Sequence, residues 1–101
     1  MSERNQLNEL LERCEEIGAF GDYDYSWWEF KSWHDPEARI YYWFEDSGCS
    51  CNHFMMDVDS ISELSVGRKE ELSNAIREYE NDNYEGLAEF KTALRNHKGS
   101  Q

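Results

Sequence analysis

The residues with the clearest capacity for chemistry lie in one short segment, Cys49-Ser50-Cys51-Asn52-His53. In an extended loop this alternate spacing puts two thiolates and one imidazole on the same side, within reach of one Zn²⁺ ion. The ligands would be Cys49, Cys51 and His53, and the candidates for a fourth are His34, Asp57 and Cys14. Structural zinc sites usually combine two separated ligand pairs. We therefore expect a metal-free turn and no cofactor, with a small zinc-binding module as the alternative.

A nucleophilic cysteine is another use of the same segment. Cys49 or Cys51 would need His34 or His53 as a base and backbone N–H groups as an oxyanion hole. No local motif supports such a pair. The chain also lacks a Gly-rich phosphate loop, an H-E-x-x-H motif and a Walker pattern. We expect a protein that is not an enzyme.

The charge of the chain indicates the kind of partner. Ten Lys and Arg stand against 22 Asp and Glu, which gives a formal net charge of −12. So acidic a chain is repelled by nucleic acid and by anionic membranes. We expect no direct binding to either, and a partner protein with a basic surface. The alternative is that the charge only keeps an aromatic-rich chain in solution.

Several carboxylates are spaced four residues apart. On a helix such pairs lie about 5–6 Å apart along one face. Rows of this kind would present a negative stripe that imitates the phosphates of DNA, although ordinary amphipathic helices have similar polar faces. The pairs are Glu12 and Glu16, Glu78 and Asp82, and Glu85 and Glu89.

Aromatic residues are concentrated between Tyr23 and Phe44, where all four tryptophans lie. Most of these side chains are expected to form the core. One or two of them are candidate anchors for a partner protein, because large aromatic side chains dominate binding energy at interfaces. Exposed aromatics would also favour a homodimer. The candidate anchors are Trp27, Trp33, Tyr41 and Trp43.

The elements that position these residues are predicted to form one α+β domain over residues 1–101. An amphipathic helix runs from Ser2, its N-cap, to about Ile17 and ends at the glycines that follow. Two aromatic strands, Tyr23 to about His34 and Arg39 to Glu45, form an antiparallel hairpin around a type I turn at Asp35–Ala38. Both faces carry large apolar groups, so either helices cover both or one face is left for a partner.

The C-terminal half is predicted to add a short strand and two or three helices. The short strand spans His53 to Val58. A capping box of Ser60 and Glu63 opens a helical turn. The remaining helices run from Arg68 to Glu80 and, with Asn83 as cap, to about Asn96, and the tail from His97 to Gln101 is expected to fray.

The chain has no features of membrane insertion or export. It contains no apolar run of around 18 residues, and its N-terminus lacks the basic-then-apolar order of a signal peptide. Three cysteines, an odd number, argue against a secreted disulfide framework. We expect a cytoplasmic protein.

The run from Trp33 to Cys51, WHDPEARIYYWFEDSGCSC, resembles a family of small uncharacterised proteins encoded by phages of actinobacteria. The likeness spans Tyr25 to Asp57, and Asp46 to Cys51 is its most specific part. It supplies no functional residues. It implies a phage accessory protein in the cytoplasm of the bacterial host. Such a protein would bind and block a basic site on a host protein, as a DNA mimic or an inhibitor of host defence.

Overall fold

The computed structural model of the protein describes residues 2–98. They form an α+β fold, as predicted, with two one-turn 3₁₀ helices at Ile61–Glu63 and Arg77–Tyr79. The main elements in chain order are α1 (Glu3–Arg13), β1 (Glu15–Tyr23), β2 (Trp27–Asp35), β3 (Ile40–Gly48), β4 (Ser65–Gly67), α2 (Lys69–Ile76) and α3 (Leu87–Asn96).

The four strands form one antiparallel sheet in the order β1-β2-β3-β4. The predicted hairpin is β2–β3, and its turn is fixed by Asp35. One carboxylate oxygen of Asp35 accepts the backbone N–H of Glu37 at 3.0 Å, and the other accepts a guanidinium N–H of Arg13 at 3.0 Å. Burial alone would raise the pKa of Asp35, but these hydrogen bonds outweigh it and lower the pKa.

A hydrophobic core lies on each face of the sheet. On one face α2 and α3 pack over Phe20, Phe30 and Tyr41, whose side chains are almost entirely buried. On the other face α1 and the segment from 49 to 64 cover β3, with Leu7 and Val58 at the centre. Both faces of the aromatic hairpin are therefore covered, which resolves the choice that the sequence left open.

Strand β1 is the main feature that the sequence pattern missed, because the first helix was expected to continue to about Ile17. The Ser2 cap is confirmed, since its side chain accepts the N–H of Asn5, but α1 ends at Arg13. Gly21 lies within β1, at a position where only glycine fits. A Cβ there would be 2.0 Å from the carbonyl oxygen of Trp28. That glycine allows close approach of two strands and does not end a helix.

The predicted strand from His53 to Val58 is wrong. This segment forms successive turns, in which the N–H of Met56 donates to the carbonyl of His53 and that of Val58 donates to Met55. Met55 has a φ of 65°, a left-handed conformation that a strand does not contain. The additional strands are instead β1 and the short β4.

The C-terminal helices are shorter than predicted. The Ser60–Glu63 capping box is confirmed, but it opens only one 3₁₀ turn. The cap of α3 is Gly86, at a φ of 86°, and not Asn83. His97, predicted to begin the frayed tail, is held in place, since its carbonyl accepts the ammonium of Lys69 at 2.6 Å. The rest of that prediction, at residues 99–101, lies outside the described residues.

No helix within residues 2–98 has both the length and the apolar character needed to cross a bilayer.

Candidate functional site

The two loop cysteines lie close together, with their sulfur atoms 3.0 Å apart. Asn52 fixes this turn, because its side-chain oxygen accepts the backbone N–H of Cys49 at 3.3 Å and the thiol of Cys49 at 3.2 Å. The hydrogen bond from Cys51 lowers the pKa of Cys49, and the same contact raises the pKa of Cys51. The contact thus makes the two thiols unequal, with Cys49 the more acidic of the pair.

The structure does not assemble the predicted zinc ligands. His53 is exposed, and it does not join the two cysteines in any group of three ligand atoms within 4.8 Å among residues 2–98. Cys14 lies near Asp35, where burial raises the pKa of its thiol to about 11. His34 is buried on the opposite face of the sheet from the side chains around Phe54. Zinc binding at Cys49, Cys51 and His53 stays a prediction with no fourth ligand in place.

A different set of potential ligands is brought together instead. Among residues 2–98, Glu15, His34 and His97 form the single group of this kind, with their ligand atoms within 4.8 Å of one another. Nδ1 of His34 and Nε2 of His97 each lie 3.7 Å from a carboxylate oxygen of Glu15. From the sequence, His34 was expected only as an extra ligand or a base for the cysteines, and His97 was expected to lie in the frayed tail.

The two histidines of this group differ in their surroundings. His34 is 1% exposed, and neither of its ring nitrogens makes a hydrogen bond within the described chain. Nδ1 of His97 shares a hydrogen bond of 2.8 Å with the hydroxyl of Tyr41. Burial and the neighbouring His34 lower the pKa of His97, while Glu15 opposes this shift.

The predicted aromatic anchors are mostly inside the protein. Trp33 is 6% exposed and Tyr41 is fully buried, so neither has surface to offer a partner. Trp27 and Trp43 are half-buried, and the indole N–H of Trp27 donates to the carbonyl of Cys49 at 3.0 Å. Trp33 and Tyr41 are buried because α1, α2 and α3 cover both faces of the hairpin. The homodimer that was expected from exposed aromatics stays a prediction.

The six predicted carboxylates are all exposed, but none of the three pairs lies within one helix. Glu12 belongs to α1, whereas Glu16 belongs to β1 and pairs with Lys31 at 3.1 Å. Helix ends also separate the other two pairs, Glu78 and Asp82, and Glu85 and Glu89. The helical rows that suggested a regular imitation of DNA are therefore not formed.

A compact acidic cleft is formed instead by two segments of chain. Residues 21–24 at the end of β1 and residues 82–85 before α3 line a cavity of about 410 Å³. We call this the acidic cleft. Within residues 2–98, its lining contains no Lys or Arg and four exposed carboxylates, namely Asp22, Asp24, Asp82 and Glu85.

Backbone hydrogen bonds between the two segments give the acidic cleft a defined shape. The N–H of Gly21 donates to the carbonyl of Glu85 at 3.0 Å, and the N–H of Glu85 donates back at 2.9 Å. Tyr23 and Tyr25, beside these carboxylates, are 45% and 77% exposed and are two of the three large exposed apolar side chains in the described chain. Tyr23 lines the cleft and Tyr25 follows it in the chain, so negative charge and an accessible aromatic ring lie together there.

Basic residues are gathered elsewhere. Five of the ten Lys and Arg line a groove of about 720 Å³ between α2 and α3. Three of the others pair with carboxylates away from the acidic cleft, as in the 2.9 Å contact of Arg4 with Asp59. The groove residues are Arg68, Lys69, Arg77, Lys91 and Arg95. The carboxylates of the acidic cleft therefore lack basic lining residues of their own.

Comparison with protein families assigns the chain to one of them. The model of the domain of unknown function DUF7574 matches residues 6–100. The chain belongs to this family. It is an uncharacterised family, in agreement with the coarse part of the resemblance noted from the sequence, and it carries no activity over to the chain. No curated protein matches the chain. No solved structure matches it either.

Proposed function

We propose that the protein is a non-enzymatic binding module that takes a basic segment of a partner protein into the acidic cleft. The observation that carries this proposal is the Gly21–Glu85 backbone pair, which joins the two segments that carry four exposed carboxylates and the exposed Tyr23. Carboxylates attract Lys and Arg, and tyrosine rings add contact area and cation–π attraction at modest entropic cost.

The proposed partner is a host protein whose basic site is blocked when the module binds. Charge complementarity supports a basic partner, since the chain carries −12 overall. The host setting is supported by the resemblance of Trp33–Cys51 to phage proteins. Because the helical carboxylate rows are not formed, the proposed recognition is of a short basic segment and not of a long DNA-binding surface.

Two triple variants of equal charge test the proposal. In the first, Asp22, Asp24 and Asp82 are changed to Asn. In the second, Glu3, Glu9 and Glu12 on α1 are changed to Gln, which removes the same charge on the opposite side of the sheet. Affinity for a fluorescently labelled arginine-rich peptide is measured at low and high salt.

We expect the cleft variant to lose affinity about tenfold, from roughly 0.5 kcal/mol for each exposed charge. The α1 variant should change it by less than about twofold, because screening at ordinary salt limits the reach of exposed charges. Equal losses in both variants would show that only net charge matters and would refute the acidic cleft as the site.

A further inference from the structure

Outside the acidic cleft, the register of the sheet brings two of the three potential metal ligands together, and the end of α3 adds the third. Glu15 lies directly opposite His34 between β1 and β2, and His34 lies opposite Tyr41 between β2 and β3. Directly opposite residues in an antiparallel sheet present their side chains on the same face. His97, at the C-terminal end of α3, lies over this row with its ring centroid 4.6 Å from that of His34.

The distances suit a small metal ion. Zinc binds imidazole nitrogen and carboxylate oxygen at about 2.0–2.2 Å, so ligand atoms around a tetrahedral ion lie about 3.4 Å apart. The two Glu15 contacts are 3.7 Å each. Closing a difference of a few tenths of an ångström requires little movement, because the Glu15 side chain is 59% exposed.

The second observation is the environment of His34. Its side chain is almost fully buried, its Nδ1 faces Glu15, and its nitrogens make no hydrogen bond within residues 2–98. Buried polar atoms in folded proteins are almost always satisfied, and each exception calls for an explanation such as an ion. A metal ion beside Glu15 gives Nδ1 of His34 the partner it otherwise lacks.

We propose that Glu15, His34 and His97 form a binding site for a divalent transition metal, with Zn²⁺ as the best-suited ion. Two imidazoles and one carboxylate are a ligand set that zinc uses when water completes its coordination. Glu15 lies on the solvent side, so an ion and its water have an entry path. Tyr41 acts as a positioning residue, since its hydroxyl accepts the Nδ1–H of His97 when Nε2 binds the metal.

Binding at this site also joins distant parts of the chain. The ligands come from the start of β1, the end of β2 and the end of α3. Because the unfolded chain does not hold them together, an ion bound there stabilises the folded state by mass action. The site shares no ligand with the Cys49, Cys51 and His53 cluster, so the two can be tested separately.

The test uses the full chain and the metals alone. Zn²⁺ affinity is measured by calorimetry, and Co²⁺ serves as a coloured substitute whose absorption spectrum reports thiolate ligands. Four single variants are compared, Glu15→Gln, His97→Gln, Tyr41→Phe and the matched histidine control His53→Gln. A double variant, Cys49→Ser with Cys51→Ser, removes the thiols of the loop.

We expect one metal ion per chain, without a thiolate-to-cobalt absorption band. Glu15→Gln and His97→Gln should each weaken Zn²⁺ binding at least about tenfold, and Tyr41→Phe should weaken it less. His53→Gln and the cysteine variant should leave the affinity unchanged. Metal-free melting curves of the variants check that they fold. Any other pattern, including no binding by the parent chain or loss of binding in the His53 or cysteine variants, overturns the proposal.

Discussion

Gly21 and Glu85 exchange both of their backbone hydrogen bonds, although 64 residues separate them along the chain. This pair ties the end of β1 to the loop that precedes α3. Gly86, in a left-handed conformation, lets the chain turn into the helix immediately afterwards, next to the carbonyl of Ala19. Two glycines thus shape the acidic cleft, and the carboxylates that line it come from segments that the pair holds together.

Replacing Gly21 by alanine should disturb both the fold and the cleft. The added Cβ would meet the carbonyl oxygen of Trp28, which is part of the sheet and cannot move aside freely. We expect a loss of about 1–3 kcal/mol in the free energy of unfolding, measured by urea denaturation. Gly67→Ala is the control, because its Cβ would meet the movable side chain of Glu71, and it should cost less. Equal losses would contradict this account of Gly21.

Tyr25 should contribute to binding and not to stability. Its side chain is 77% exposed at the turn between β1 and β2. We expect Tyr25→Ala to weaken binding of the arginine-rich peptide about two- to fivefold, which corresponds to an exposed cation–π contact. Val66→Ala, at an exposed position on β4, is the control for loss of apolar surface. An unchanged affinity in the Tyr25 variant would remove the ring from the proposed site.

The buried carboxylate of Asp35 should contribute far more to the free energy of unfolding than an exposed carboxylate does. It accepts hydrogen bonds from Arg13, Glu37 and Ala38. Changing Asp35 to Asn removes its charge and leaves some of these donors poorly paired around a buried side chain, so we expect a loss of about 1–3 kcal/mol in unfolding free energy at neutral pH. Asp59→Asn breaks the exposed contact with Arg4 and should cost less than about 1 kcal/mol. Similar effects of the two changes would contradict the importance of burial here.

The three cysteines should alkylate at different rates. Burial raises the pKa of Cys14 to about 11, so at pH 7 almost none of it is thiolate. The hydrogen bond from Cys51 lowers the pKa of Cys49, which increases its thiolate fraction at the same pH. With iodoacetamide at pH 7, followed by peptide mass spectrometry, we expect Cys49 to react first and Cys14 last.

A second variant tests whether the reactivity of Cys49 depends on its hydrogen bond with Cys51 or only on its exposure to solvent. Cys51→Ala removes the thiol that stabilises the Cys49 thiolate. Alkylation of Cys49 should then slow at pH 7 and recover its rate as the pH rises, because the pKa of Cys49 returns toward its ordinary value. An unchanged rate would show that the neighbouring thiol does not activate Cys49.

Short sequence patterns correctly predicted the local structures that they determine, namely helix caps and turns. Ser2 caps α1, Asp35 shapes the β2–β3 turn, and Ser60 forms its capping box. Each of these depends on residues within four positions of one another. The α+β class followed from the same periodicities and turns.

The rest depends on contacts that a local pattern does not contain. Gly21 was taken as a helix stop because nothing nearby in sequence shows that Trp28 and Glu85 approach it. The group of Glu15, His34 and His97 spans most of the chain, so no motif spacing could assemble it. Only the register of β1 against β2 and the end point of α3 bring these ligands together.

The proposal that the acidic cleft binds a basic segment is tested most directly by NMR. Isotope-labelled protein is titrated with the arginine-rich peptide, and the shifts of its backbone amides are recorded. We expect shifts to concentrate in residues 21–24 and 82–85, the two segments of the acidic cleft, and in the neighbouring Tyr25. They should disappear in the Asp22, Asp24 and Asp82 triple variant. Shifts spread evenly over the acidic surface, or centred on α1, would contradict the claim that the acidic cleft is the binding site.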